Sequence, residues 1–117
     1  MSNNPTMTKA KKKPPCAQQS AHPYVIVRCS AAGVHAGEML SRDGDCVVMA
    51  KSRRLWLWRV PKGKPAFLSG VAQHGLGEDC RIGCEIDVTL LGACEIIYVA
   101  TDAEKSIRSY APHERSN

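Results

Sequence analysis

The chain has 117 residues, of which 44% are hydrophobic and 23% charged, which suits one folded domain and leaves no room for two. No apolar run approaches the roughly 18 residues of a membrane span, and no apolar stretch follows the polar start as it would in a secretory signal. We therefore expect no membrane association, and a domain too small for a large cofactor-dependent enzyme. No cofactor is expected.

The formal net charge of +5 is concentrated at the start of the chain. Residues 1–22 hold four lysines and no acidic residue, which leaves a net charge of only +1 for the rest. These lysines are Lys9, Lys11, Lys12 and Lys13. Residues 1–23 are predicted to be a flexible basic arm, and residues 111–117 a C-terminal tail. The arm could be a solvated segment that aids solubility, or it could bind nucleic-acid phosphates or an acidic protein surface.

Between the arm and the tail, the pattern is mainly that of short β-strands. β-branched and apolar residues predict six of them, at 24–29, 34–40, 46–50, 55–60, 86–91 and 94–99. Asp43-Gly44 predicts a tight hairpin turn, because both residue types tolerate positive φ. Gly37 predicts a bulge or bend inside the second strand, and residues 77–83 are predicted to be a loop.

Two short helices complete the predicted domain. Pro65 suits a first helical position, and apolar residues at helical spacing predict about ten residues of helix ending at Gly75. Thr101 and Glu104 have the spacing of a capping box and predict a last helix through Arg108. Strands joined by tight turns close most economically into a barrel. We therefore predict one mainly β domain over residues 24–110, a small antiparallel SH3-like or Sm-like barrel of five or six strands with one inserted helix and a C-terminal helix.

Cysteine and histidine residues are the obvious candidates for metal binding or catalysis. The cysteines are Cys16, Cys29, Cys46, Cys80, Cys84 and Cys94. The missing secretory signal favours free thiols in a reducing compartment, and only Cys80 and Cys84 are close, whereas zinc sites usually have a close pair at both ends. Structural thiols are favoured over a metal site or redox chemistry, so no metal is predicted. The four histidines are scattered, and no catalytic residues and no enzymatic activity are predicted.

Residues 52–59 combine arginine and tryptophan in an unusual way. The predicted binding or interface residues are Arg53, Arg54, Trp56, Trp58 and Arg59. Residues two apart on a strand share a face, so both indole rings are expected to project together. Three interpretations stay open, namely packing under the helix at 65–75, contact with another subunit, or stacking of a nucleotide base beside arginine-bound phosphates.

Several segments between residues 24 and 108 carry a family resemblance. They are 24–28, 32–37, 41–44, 47–48, 53–58, 90–97 and 101–107. The most specific is the Arg-Arg-apolar-Trp-x-Trp block from Arg53 to Trp58. In these segments the chain resembles a family of small tailed-bacteriophage proteins with no established activity. The resemblance implies a phage source and no catalytic residue.

These observations lead to two functional hypotheses. The first is a non-enzymatic virion component, such as a head decoration (cement) or connector protein, that binds neighbouring subunits or further copies of itself through its β domain and basic arm. The alternative is a binding module in the host cytoplasm during infection, which sequesters a nucleotide, a nucleic acid or a host defence protein. Nucleic-acid binding would use the arm or the Arg/Trp segment.

Overall fold

The structure is a computed structural model and describes residues 22–114. The four lysines of the predicted arm and residues 115–117 of the predicted tail lie outside the described residues. The elements in chain order are β1 (Tyr24–Cys29), β2 (Gly33–Asp43), β3 (Cys46–Leu57), α1 (Leu68–His74), β4 (Arg81–Ile82), β5 (Ile86–Leu90), β6 (Ala93–Tyr98) and α2 (Thr101–Ser109). The prediction of a mainly β domain with two short helices is confirmed.

All six strands belong to one antiparallel sheet. Its order is β4-β3-β2-β1-β6, and β5 pairs with the same edge of β3 as β4 does. No backbone pairing between described strands joins β4 or β5 to β6, so these pairings do not close the sheet. The SH3-like or Sm-like barrel type stays a prediction.

The turn between β2 and β3 is the predicted hairpin. Asp43 pairs with Cys46 across it, and Gly44 has a φ of 62°. The predicted irregularity at Gly37 is also present, since the register of β2 against β3 shifts between Ala36 and Glu38. Both predictions are confirmed. Gly44 supplies the positive φ of the turn, and Gly37 lies where a Cβ would come 2.7 Å from the Ser52 Cα of the neighbouring strand.

One strand, β3, occupies the region where the sequence predicts two. The predicted strands at 46–50 and 55–60 are joined through a bulge at Lys51, whose φ is 52°, and the strand ends at Leu57. Ser52, which follows the bulge, pairs with Ile86 of β5, so strand pairing continues beyond the bulge. Separate strands are therefore the wrong interpretation. β4 likewise forms inside the residues predicted to be a loop.

Both helices differ in detail from the prediction. α1 begins only at Leu68, because Phe67 has the extended backbone of an N-cap residue, with φ of −124° and ψ of 163°. The N-cap of α2 is Ala100, and no side chain caps the helix. The predicted capping box is therefore wrong, and the Glu104 carboxylate instead accepts a 2.8 Å hydrogen bond from Arg108. Neither helix of the described residues is long and apolar enough to cross a membrane.

Two apolar cores lie on opposite faces of β1. The helix-side core consists of Tyr24, Ile26, Ala36, Leu55, Val71, Ala72, Leu76, Ile82 and Ile107. The strand core consists of Val25, Val27, Cys29, Val47, Met49 and Leu90. Side chains alternate between the two faces of a strand, so consecutive residues of β1 enter different cores. This explains why β1 is an almost unbroken apolar run.

Candidate functional site

The second half of β3 alternates between the core and the surface. Leu55 is buried in the helix-side core, whereas Arg54 and Trp56 point outward. The side chain of Trp56 is 62% exposed. β4 pairs with β3 at this point, with Leu57 opposite Arg81, so the pairing brings an arginine from a distant part of the sequence beside the tryptophan.

These residues line a small concavity on the outer face of the sheet, which we call the Trp56 cleft. It is open to solvent and has a volume of about 210 Å³, and its lining residues are Arg54, Trp56, Arg81, Ile82, Gly83 and His113. The Arg81 Cζ lies 5.3 Å from the Trp56 ring centroid, and the His113 ring lies 6.2 Å away at a 45° tilt.

Backbone hydrogen bonds hold the lining of the Trp56 cleft together. The His113 N–H donates to the Ile82 carbonyl oxygen over 2.9 Å, which attaches the segment after α2 to β4. The Gly83 N–H donates to the Arg54 carbonyl oxygen over 2.9 Å. The cleft is therefore built on paired strands, which position side chains more rigidly than a loop does.

The electrostatics of the Trp56 cleft favour an anion. Within residues 22–114, the salt bridges are those of Arg28 with Glu95 and of Arg108 with Glu38 and Glu104. Arg54 and Arg81 thus have no carboxylate partner in the described part of the chain, and no acidic residue lines the cleft. Unneutralised guanidinium groups beside an aromatic ring can bind carboxylates, phosphates or aromatic faces.

Two neighbours of Arg54 explain its position. Gly33 leaves room for the guanidinium, because a Cβ there would lie 3.0 Å from an Arg54 terminal nitrogen. His35 lies opposite Arg54 on β2 and is buried, and its Nε2 donates to the Ala32 carbonyl oxygen over 2.8 Å. Burial lowers the pKa of His35, and the Arg54 charge adds to this effect. The lowered pKa favours the neutral imidazole beside Arg54.

Arg53 was predicted to be a contact residue, but it lies beneath the cleft and is only 3% exposed. Its Nε donates to the Gly83 carbonyl oxygen over 2.7 Å. One terminal nitrogen donates to the carbonyl oxygens of Ile107 and Arg108 over 2.7 and 3.4 Å. Arg53 therefore ties the cleft lining to the C-terminal end of α2, where the helix dipole favours a cation.

The remaining predicted residues, Trp58 and Arg59, lie outside the cleft because β3 ends at Leu57. The register against β4 shifts between Leu55 and Leu57, so the two-residue spacing no longer puts Trp58 on the face of Trp56. Trp58 packs against the helix-side core. Arg59 is exposed but does not line the cleft, and its N–H donates to the Cys80 Sγ over 3.2 Å. The expectation that both rings project together is wrong, because Trp58 packs against the helix-side core whereas Trp56 is exposed.

Of the lining residues that the sequence did not predict, Arg81 and His113 are the two that contact the Trp56 ring. Arg81 falls in a strand of two residues, which is too short for any periodicity, and His113 follows the last helix. A β pairing and a single backbone hydrogen bond bring them together. No local pattern in the sequence marks either contact.

The thiols do not form part of the cleft. Cys29, Cys46, Cys80, Cys84 and Cys94 are free, and Cys16 lies outside the described residues. Between residues 22 and 114, no three His, Cys, Asp or Glu side chains are arranged to hold a metal ion. The Cys80 thiol donates to the Gly77 carbonyl oxygen over 3.4 Å, which gives it a structural contact in the loop before β4.

Comparison with known proteins shows a family match. A family model described as Domain of unknown function (DUF6948) matches residues 22–107, a span that includes Arg54, Trp56 and Arg81 and ends before His113. No curated protein and no solved structure matches the chain.

Proposed function

The chain belongs to the DUF6948 family, and from its own residues we propose that it is a non-enzymatic bacteriophage protein that acts by binding. The observation that carries the proposal is Trp56, which is 62% exposed between the unneutralised Arg54 and Arg81. Tryptophan and arginine dominate the energetic centres of binding surfaces. Covering the exposed part of the ring removes roughly 150 Å² from water, worth about 4 kcal/mol at about 25 cal/mol per Å².

The setting we propose is the virion. The family resemblance of residues 53–58 supports a phage source. In a particle, the chain would be a head decoration or connector component that contacts neighbouring subunits, or further copies of itself, through the β domain. The four lysines of the basic arm would add salt-sensitive attraction to acidic surfaces.

The second candidate is an intracellular binding module in the infected host cytoplasm. It is favoured by one observation, which is that the exposed ring lines a shallow concavity that is open to solvent. Small-ligand sites are concave and apolar with a few placed polar groups. A nucleotide, nucleic acid or host defence protein would be the ligand in this case.

We also propose that the sheet is a partly open barrel of the SH3-like or Sm-like type. β5 pairs with β3, and β6 pairs with β1. The strands β5 and β6, which are consecutive in the chain, are therefore the two ends of the order β5-β3-β2-β1-β6. The Ala93 N–H donates to the Asp45 carbonyl oxygen over 2.9 Å near the gap. An experimental structure in which β5 and β6 lie on far sides of an open, flat sheet would contradict this proposal.

Incorporation into particles tests the virion role. Phage would be produced with the wild-type chain, with Trp56→Ser, or with Phe67→Ser, a control that is 70% exposed and outside the cleft. Mass spectrometry of purified particles is expected to detect the wild-type and control chains and to show Trp56→Ser depleted. Absence of the wild-type chain would overturn the virion role. Full incorporation of folded Trp56→Ser would instead overturn the assignment of the contact surface.

A further inference from the structure

The volume of the Trp56 cleft, its charged residues and its aromatic ring indicate which class of ligand it binds. We infer that the cleft binds one nucleotide unit of a single-stranded nucleic acid, with the base against Trp56 and the phosphates at Arg54 and Arg81. The inference rests on the proposed function only in taking the cleft as a contact surface, and holds for either setting.

The volume of the cleft suits a single planar group. The cleft is open to solvent and has a volume of about 210 Å³, which is below the about 300–1,000 Å³ of pockets that enclose a drug-sized ligand. A base can therefore enter while its sugar and phosphates stay outside. Charged groups are available for such an arrangement, because Arg54 and Arg81 line the cleft and are exposed. The Arg54 guanidinium lies beside Gly33, and the Arg81 guanidinium lies 5.3 Å from the Trp56 ring centroid.

The charge of the lining selects for an anionic ligand. Arg54 and Arg81 have no carboxylate partner among residues 22–114, and His113 lies beside them. Arg81 contacts Trp56 through a cation–π interaction at 5.3 Å. Such contacts are weak at exposed sites, so the guanidinium can move from the ring to a phosphate at little cost.

The ring distinguishes a nucleotide from an acidic peptide. A carboxylate needs only the cations, whereas a base uses the cations and the ring together. Sequence-tolerant single-strand sites combine a basic groove with aromatic side chains on which bases stack. In a duplex the bases are stacked on each other and their faces are covered, so the cleft is expected to discriminate against paired strands.

The test is binding of a fluorescein-labelled oligothymidylate to the full chain, followed by fluorescence anisotropy. The oligonucleotide would have about 12 residues, inside the about 4–16 of known single-strand sites. Trp56→Ala is expected to raise the dissociation constant about tenfold or more, because stacking on one ring contributes about 5- to 150-fold. Trp56→Phe, which keeps an aromatic face, is expected to retain most of the affinity.

Charge variants test the phosphate contacts. Arg54→Gln and Arg81→Gln are each expected to weaken binding and to reduce the slope of log K against log salt by about 0.7. Arg59→Gln is the matched control, since it removes an exposed arginine outside the cleft, and should leave affinity and slope unchanged. Substitution of the four arm lysines by glutamine should weaken single-strand and duplex binding alike, without removing the preference for the single strand.

Competitors identify the source and the class of the ligand. Displacement by the oligonucleotide at much lower concentration than by thymidine monophosphate supports a strand, and equal displacement supports a free nucleotide with the same base-and-phosphate contacts. Unchanged binding by folded Trp56→Ala, or equal affinity of the wild-type chain for duplex and single strand, would overturn the inference. Stronger displacement by polyglutamate than by either nucleotide probe would also overturn it and favour an acidic protein. Particle incorporation is measured separately, so either proposal can fail alone.

Discussion

Arg53 places a positive charge in the interior of the domain with carbonyl oxygens as its hydrogen-bond partners. It is 3% exposed and makes two bonds of 2.7 Å, to Gly83 and Ile107. Arg53→Met keeps an unbranched apolar stem and removes every donor. A buried acceptor that loses its donor costs about 1–3 kcal/mol. The Gly83 carbonyl loses this bond, whereas that of Ile107 keeps a 3.3 Å bond from the Tyr110 N–H.

Each of the two lost hydrogen bonds from the charged donor contributes about 1.5–3 kcal/mol. Relief of the buried charge offsets part of their sum, so the expected net loss of stability is about 2–3 kcal/mol. For a domain of this size, 1 kcal/mol lowers Tm by about 4–8 °C, so Arg53→Met should melt about 10–20 °C below the wild-type chain. Arg53→Lys keeps the charge without the rigid two-sided fork. It is expected to lose about 1 kcal/mol or more, since one ammonium cannot span both carbonyls.

The measurement is urea unfolding followed by circular dichroism, with the neighbouring Arg54→Met as the control. Arg54 is exposed, and surface changes of this kind stay within about 0.5 kcal/mol. Equal stability of the Arg53→Met and Arg54→Met chains would refute the reasoning. It would mean that desolvating the Arg53 guanidinium costs as much as its hydrogen bonds contribute.

Three further predictions concern a phenol, a glycine and two thiols. Burial raises the pKa of Tyr24 to about 12. The contribution of its neutral form to the free energy of unfolding should be complete below about pH 10 and lost as the pH rises towards 12. Urea unfolding of Tyr24→Phe should not show that loss. Gly37→Ala should destabilise by about 1–3 kcal/mol, because its Cβ would lie 2.7 Å from the β3 backbone, whereas Gly83→Ala meets nothing closer than 3.5 Å; equal thermal melts would contradict this. The exposed Cys84 should alkylate in the native chain well before the buried Cys29, whose pKa is raised by burial; mass spectrometry showing equal rates would contradict it.

Local signals predicted the type of most elements, and failed where pairing with a distant strand decided the outcome. β1 and the Asp43-Gly44 turn were predictable because an apolar β-branched run and a turn with positive φ are encoded within a few residues. Two separate strands were predicted at 46–50 and 55–60, with Ser52 between them. Ser52 is nevertheless fully buried and pairs with Ile86, a contact that no pattern within β3 announces.

The same limit applies to the cleft. Arg54 and Trp56 were found because their composition is unusual and their spacing is that of one strand face. Arg53 was predicted to be a contact residue because it stands beside the tryptophans in the sequence. Only the fold reveals the carbonyl oxygens that hold it in the interior. Arg81 and His113 reach the ring through tertiary pairing, so the chain had to be folded before the cationic lining could be recognised.

The position of β1 has a consequence for how the protein is made. Val25 pairs with Gly37 on one edge of β1 and with Tyr98 on the other. The second edge of β1 therefore has no partner until nearly the whole domain has been translated. At about 5–20 residues per second, the interval between Val25 and Tyr98 lasts about 4–15 s. Throughout that time one edge of an apolar strand stays open to chaperones or to a second nascent copy. Completion of the sheet is therefore expected only after synthesis has reached β6, and a ribosome stalled before Ala93 would present an unfinished edge.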